Sequence, residues 1–280
     1  MPIHDQGYRR YLGNRAAIGR SWKVMATAGI MTMVRKRMFI LLMLFSWLGY
    51  VFRAIQFYLS EVITQAASIL APKGDTFREF LDNQNIFVFF VAIWVGAGLI
   101  ANDRRANALQ LYLSKPMTSA EYIAGKFAIL FVFLTSVTFL PAMMLLLTQA
   151  ILSGSLTFIR SNIYLLPAIT LYSLLLVIVA SISMLALSSL SKSSRFVGVM
   201  FAGLVFFTLA FFNALRGITG TSSFAWLAPS AALAQIGDVI FRVTPRYSVS
   251  PVAAAVAIIV LVAVSLWILK RRIRGVEIVT

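Results

Sequence analysis

Six stretches of this chain read as helices that cross a lipid bilayer, a task that takes about 20 predominantly apolar residues, within roughly 17–25. They run Met38–Ser60, Ile86–Ala101, Phe127–Leu152, Ile163–Leu190, Phe196–Leu215 and Pro251–Leu269. The second is short, rising only about 24 Å at 1.5 Å per residue, so it is expected to continue as helix past Ala101 into the water layer. Pro141 and Pro167 fall in the third and fourth stretches, where neighbouring helices satisfy a kinked backbone. Composition points the same way. The chain is 60% apolar and 12% charged, against about 45–50% and about 25% in a soluble domain. That balance disfavours a soluble enzyme, a disordered chain or a repeat protein. The expected fold is an all-α polytopic membrane protein with six transmembrane helices and an N-terminal amphipathic elbow helix.

Sidedness follows from the basic residues between the spans. Eighteen of the 25 lie on the side that holds both termini, including Arg35, Lys36, Arg37, Arg104, Arg105, Lys126, Lys192 and Arg271. The opposite side holds six: Lys73, Arg78, Arg160, Arg216, Arg242 and Arg246; Arg53 lies within the first span. Both termini are therefore expected in the cytoplasm. The net charge of +16 reads as membrane orientation and attraction to phospholipid, not as a nucleic-acid site. The first 37 residues are polar, so the first span is expected to be an uncleaved anchor. The organisation expected is a cytoplasmic segment over 1–37, a membrane domain over 38–269 and a basic tail over 270–280.

Catalytic parts are missing. Without cysteine there is no disulfide, thiolate nucleophile or Cys-ligated metal, and one histidine, His4, cannot act as base to a serine inside the spans. Gly125-Lys126 lacks the upstream glycine of a phosphate loop. Gly96-Ala97-Gly98-Leu99-Ile100-Ala101 imitates a dinucleotide fingerprint without the strand that must precede it; small residues for close helix packing are the better reading. The acidic residues, among them Asp75, Glu79, Asp82 and Asp238, are placed outside the middle of every span. Ion-coupled transport, which uses ionisable groups near the midplane, is disfavoured. No cofactor is expected in this chain.

Three amphipathic segments carry more. Trp22, Met25, Ala26, Gly29, Ile30 and Met33 fall on one helical face, as in a helix lying in the headgroup plane. Between the second and third spans, Leu109, Tyr112 and Leu113 share a face, and Pro116 ends that element. Thr118 and Glu121 then form a capping box, with Met117 and Tyr122 at the staple positions. This reads as a rigid knee leading into the third span. The third segment, Trp226 to Phe241, has Asp238 as its only charge. It reads as a short outer or re-entrant helix pair with Ser230 as an N-cap and Leu233, Ile236 and Ile240 on one face. Arg53 is assigned mainly to snorkelling toward the headgroups, or else to an inner cavity.

The run Ile100-Ala101-x-Asp103 … Leu109-x-Leu111-Tyr112-Leu113-Ser114-Lys115-Pro116-Met117-Thr118-x-x-Glu121-Tyr122 … Gly125-Lys126 resembles the first cytoplasmic loop of type-2 ABC transporter permeases. The six-span layout with an elbow helix is similar too. Asp103 stands where that family usually has Glu, and Asn107-Ala108 where it has Gly-Thr. The resemblance implies two permease chains, more readily a homodimer, docked on two copies of a separate ATPase subunit that binds Mg-ATP. It places Asp103, Arg104, Arg105, Leu109, Tyr112, Leu113 and Glu121 of the 102–126 loop at that contact. It also implies a pathway between the copies lined from spans two and five, by Phe87, Phe90, Trp94, Phe206, Phe211 and Asn213. Such an aromatic, nearly uncharged wall suits an amphiphilic or lipidic substrate. The expectation is an exporter subunit in the plasma (inner) membrane of a prokaryote; the alternative is a non-transporting scaffold that anchors a cytoplasmic ATPase.

Overall fold

The computed structural model describes residues 21–63, 73–108, 117–154 and 157–273. Among them the regular structure is helical, with no strand. Six helices are long and apolar enough to cross a membrane: span 1 (Arg37–Val62), span 2 (Gly74–Arg105), span 3 (Ser119–Leu152), span 4 (Leu165–Leu190), span 5 (Ser194–Thr219) and span 6 (Pro251–Arg272). A seventh helix, Ser21–Val34, precedes them, and a cross helix, Pro229–Ile240, lies between spans 5 and 6.

Breaks in the spans have local causes. Pro141 cannot donate to the carbonyl one turn back and collides with it, and span 3 accordingly divides at Thr138, between Ser119–Val137 and Phe139–Leu152. The Thr138 hydroxyl adds a second donor to Leu134 O, at 2.8 Å, beside its own backbone N–H. Pro167 falls in the first turn of span 4, where its missing N–H has no helical partner to lose. The capping box expected at Thr118 is present: Thr118 N–H donates to Glu121 Oε2 at 2.9 Å, and Glu121 N–H to Thr118 Oγ at 3.2 Å.

Burial sorts the spans into two groups. In their most apolar stretches spans 2, 3 and 4 are 56%, 56% and 50% buried, whereas spans 1, 5 and 6 are 11%, 17% and 22% buried. The first three are the core, and the others present long apolar faces outward. One apolar cluster joins Ala26, Ile100, Tyr122, Leu185, Val197 and Leu269 at the end where the described chain begins and finishes, here the near end. A second gathers Phe57, Phe77, Leu146, Leu165, Tyr172 and Phe241 toward the far end. The N-terminal helix packs along the start of span 3 with Met25, Ile30 and Met33 turned toward the near-end cluster. Its face agrees with the expected periodicity. Gly96 carries out the packing role assigned to the glycine pair, since a Cβ there would overlap Met184 Cγ and approach Leu130 within 3.2 Å.

Four expectations are corrected. Span 2 begins at Gly74, not Ile86, so Asp75, Glu79 and Asp82 belong to a span instead of a loop. Ser230 is not an N-cap: Ala228 holds that position, with Pro229 in the first turn, where its fixed φ suits a helix start. The expected helix pair is one helix preceded by a single 3₁₀ turn, Ala225–Leu227. Arg53 is not a lone cation reaching for headgroups; it pairs with Glu79 of span 2 at 2.9 Å and donates to Gln56 at 2.9 Å.

Candidate functional site

At the near end, span 2 leaves helical geometry at Ala97–Ile100 before one further helical stretch, Ala101–Arg105. The freed backbone groups find a partner in span 4. The Ser188 hydroxyl accepts from Ile100 N–H and Ala101 N–H, each at 3.1 Å, and donates to Ala97 O at 3.0 Å. Arg104 donates to Ser189 O. The end of span 2 is thus fastened to the end of span 4.

A second fastening runs to span 3. Asp103 accepts from Tyr122 Oη at 2.7 Å and pairs with Lys126 Nζ at 2.7 Å. The Lys126 ammonium also lies 5.4 Å from the Tyr122 ring centroid. Tyr122 and Lys126 are four apart on span 3, so one face of that helix presents both to the carboxylate. Lys126 is thereby buried with its charge answered, as a buried cation must be. Sequence reasoning placed Asp103 at a partner's surface and left Lys126 without a role.

Of the residues assigned to docking, Asp103 and Arg104 are engaged inside the chain and Glu121 closes the capping box. Arg105 is exposed beside Asn102 and Asn107. Asn107 has a φ of 53°, a left-handed conformation that Asn tolerates better than most residues. Leu109, Tyr112 and Leu113 lie outside the described residues.

The residues assigned to a pathway mark an outward face. Phe90, Trp94, Phe206, Phe211 and Asn213 are exposed on spans 2 and 5, while Phe87 turns toward span 1, its ring 6.0 Å from Phe45. Phe89 ties the two spans together, with ring centroids 5.8 Å from Phe201 and 5.0 Å from Phe206.

Sequence reading missed the ion network at the far end. Arg78, 1% exposed, and Asp238, 0% exposed, approach at 3.1 Å between Nε and Oδ1. Arg78 also pairs with Asp82, donates to Ala234 O at 2.9 Å and covers the Tyr172 ring at 4.6 Å. Arg246 bridges Asp82 and Asp238, its backbone N–H donating to Asp238 Oδ2 at 3.1 Å. Gly237 makes room, because a Cβ there would stand 2.6 Å from the Tyr172 ring and 2.7 Å from Arg78 Nε. Burial pushes the Asp238 carboxyl above the ordinary carboxylate range, partly offset by the attraction of Arg78 and Arg246. Two signals in the sequence pointed here: the i,i+4 spacing of Arg78 and Asp82, and one acid, Asp238, inside an apolar helix that needs a cation.

Neither the protein-family models nor the curated proteins include a match to this chain.

Proposed function

We propose that this chain is the membrane subunit of an ATP-driven ABC exporter. In this reading two copies pair, the near end faces the cytoplasm of a prokaryotic cell, and the N-terminal helix is an elbow in the headgroup plane. A separate ATPase subunit, which binds and splits Mg-ATP, docks on the 102–126 segment of each copy. The outward aromatic face of spans 2 and 5, around Phe90, Trp94, Phe206 and Phe211, lines a pathway for an amphiphilic substrate between the copies.

The observation that carries this reading is the double anchoring of that segment. On one side it leaves span 2 through Asp103 and Arg104, held by spans 3 and 4; on the other it enters span 3 through the Thr118–Glu121 box. A displacement imposed on it reaches all three core spans, because packed interiors transmit strain. Force from an external motor needs such a lever. The excess of basic residues at the same end supports a cytoplasmic position.

A photoactivatable amino acid at Arg105 or Asn107, in protein expressed in its native membrane, tests the reading. The expected adduct is a polypeptide bearing a phosphate-loop ATPase, and co-reconstitution of the two should give ATP hydrolysis that responds to amphiphiles. Adducts without any ATPase overturn the proposal; an ATPase adduct with no stimulated turnover favours the scaffold. Because the natural chain contains no cysteine, single Thr118→Cys and Ser222→Cys variants report sidedness directly. Membrane-impermeant maleimide should reach Ser222→Cys, but not Thr118→Cys, from outside intact cells.

A further inference from the structure

Spans 2, 4, 5 and 6 and the cross helix surround a cavity of about 120 Å³. Its walls are apolar, including Val88, Phe89, Leu176, Val179, Leu204 and Leu261, and no lining residue is charged. Along span 4 the lining runs from Leu176 to Ser183, a length of about 10 Å at the helical rise.

Two hydroxyls there lack partners. Ser183 is 3% exposed, and its Oγ, like that of Ser230, finds no hydrogen bond. Among the buried hydroxyls in that condition, these two line the cavity. Other span hydroxyls turn back onto a carbonyl, as Thr170 does to Leu166 at 2.8 Å, while Thr135, Tyr172, Ser173 and Ser181 are unpaired outside the cavity lining. A buried polar group left unpaired costs about 1–3 kcal/mol, which a ligand oxygen would relieve.

The backbone around the cavity is irregular as well. Both π-helical segments among the described residues, Ala92–Gly96 and Gly203–Phe207, belong to spans that border it. The second supplies Leu204 and Val205 to the wall. Such widened turns gather at functional sites.

Size and chemistry narrow the occupant. A dry cavity of about 150 Å³ holds one benzene, so this slightly smaller one admits a few methylenes of one hydrocarbon chain, the rest of which stays in the bilayer. Uncharged walls reject an ionised group. Span 6, which supplies Leu261, is mostly uncovered, so a chain from the surrounding bilayer reaches the cavity from its side. We propose that the cavity holds a segment of one acyl chain of a bilayer lipid within a single copy of the protein, with an ester carbonyl or hydroxyl of that lipid hydrogen-bonded to Ser183. The site lies within one copy and does not depend on an ATPase partner.

The test uses the full chain in vesicles of phosphatidylethanolamine and phosphatidylglycerol with a trace of phosphatidylcholine carrying a diazirine on one acyl chain. After illumination, labels should concentrate in peptides covering 176–183 and 201–205. Filling the cavity with Ala180→Trp should abolish that labelling, and Ser183→Ala should reduce it about fivefold, the loss of one hydrogen bond. Val260→Trp, on the exposed face of span 6, should leave it unchanged. Labels confined to the exposed faces of spans 1, 5 and 6 overturn the proposal, as does cavity labelling that persists unaltered in Ser183→Ala. If Ala180→Trp fails to fold, Ser183→Ala carries the decision alone.

Discussion

Lys126 is a charged side chain on a membrane-crossing helix, and Asp103 with the Tyr122 ring accounts for its position. Breaking a buried pair by removing one partner costs about 3–5 kcal/mol. Lys126→Met should therefore lower the melting temperature in detergent sharply, and adding Asp103→Asn should recover part of the loss. Equal melting of single and double variants would show that the pair is not coupled. Gly237 gives a test of opposite sign to the usual rule. A helical Gly→Ala change gains about 0.5–1 kcal/mol, but here the new methyl enters the space of Tyr172 and Arg78. Overpacking of that kind costs about 1–3 kcal/mol, so Gly237→Ala should melt earlier than wild type. Asp238 adds a pH signature. Its pKa in the folded protein is raised above the ordinary 3.8, so the folded state favours the protonated acid. That contribution is complete below the unfolded pKa and is lost as pH rises through the folded one. Relative to Asp238→Asn, which does not titrate, wild-type stability should fall as pH is raised across that interval. A difference that stays flat or climbs overturns the assignment.

At the level of elements, the Thr118 cap is the most local device in the chain. Thr118→Ala should cost about 1 kcal/mol and speed amide exchange at Glu121 and Tyr122, leaving the middle of span 3 protected. Exchange unchanged at both amides would mean that packing, not the cap, fixes the helix start. This element was legible because its information is four residues long. Spans 4 and 6 were legible for a related reason: the start of span 6 at Pro251 and the end of span 4 at Leu190 coincide with the limits of their apolar runs. The first third of span 2 was not. Gly74–Asn85 carries Asp75, Arg78, Glu79 and Asp82 and reads as loop by hydropathy. Asp75 is exposed; Arg78, Glu79 and Asp82 are tolerable in a packed helix because Asp238, Arg53 and Arg246 answer them, and those partners are remote in sequence. Ser188 was hidden likewise, since nothing local shows that it serves the backbone of span 2.

The whole molecule has a covered core of three spans and an outward ring of three. A single chain is, on the proposed reading, incomplete as a conduit, because its aromatic face lies on the outside until another copy meets it. On the proposed reading, Phe206→Ser or Phe211→Ser should change transport in vesicles while pairing, followed by size-exclusion chromatography with light scattering, persists. Unchanged transport in both variants would remove that face from the pathway.

The far-end network has an electrical consequence. Arg78 and Asp82 belong to span 2, whereas Asp238 and Arg246 belong to the cross helix and the segment after it. With all four ionised, each half of the junction is neutral on its own. Moving one elementary charge through the membrane potential is worth about 2.3 kcal/mol per 100 mV. While all four stay ionised, separation of the two halves transfers no net charge and a cell's resting voltage neither assists nor resists it; a protonated Asp238 would leave Arg246 uncompensated and make the step voltage-sensitive.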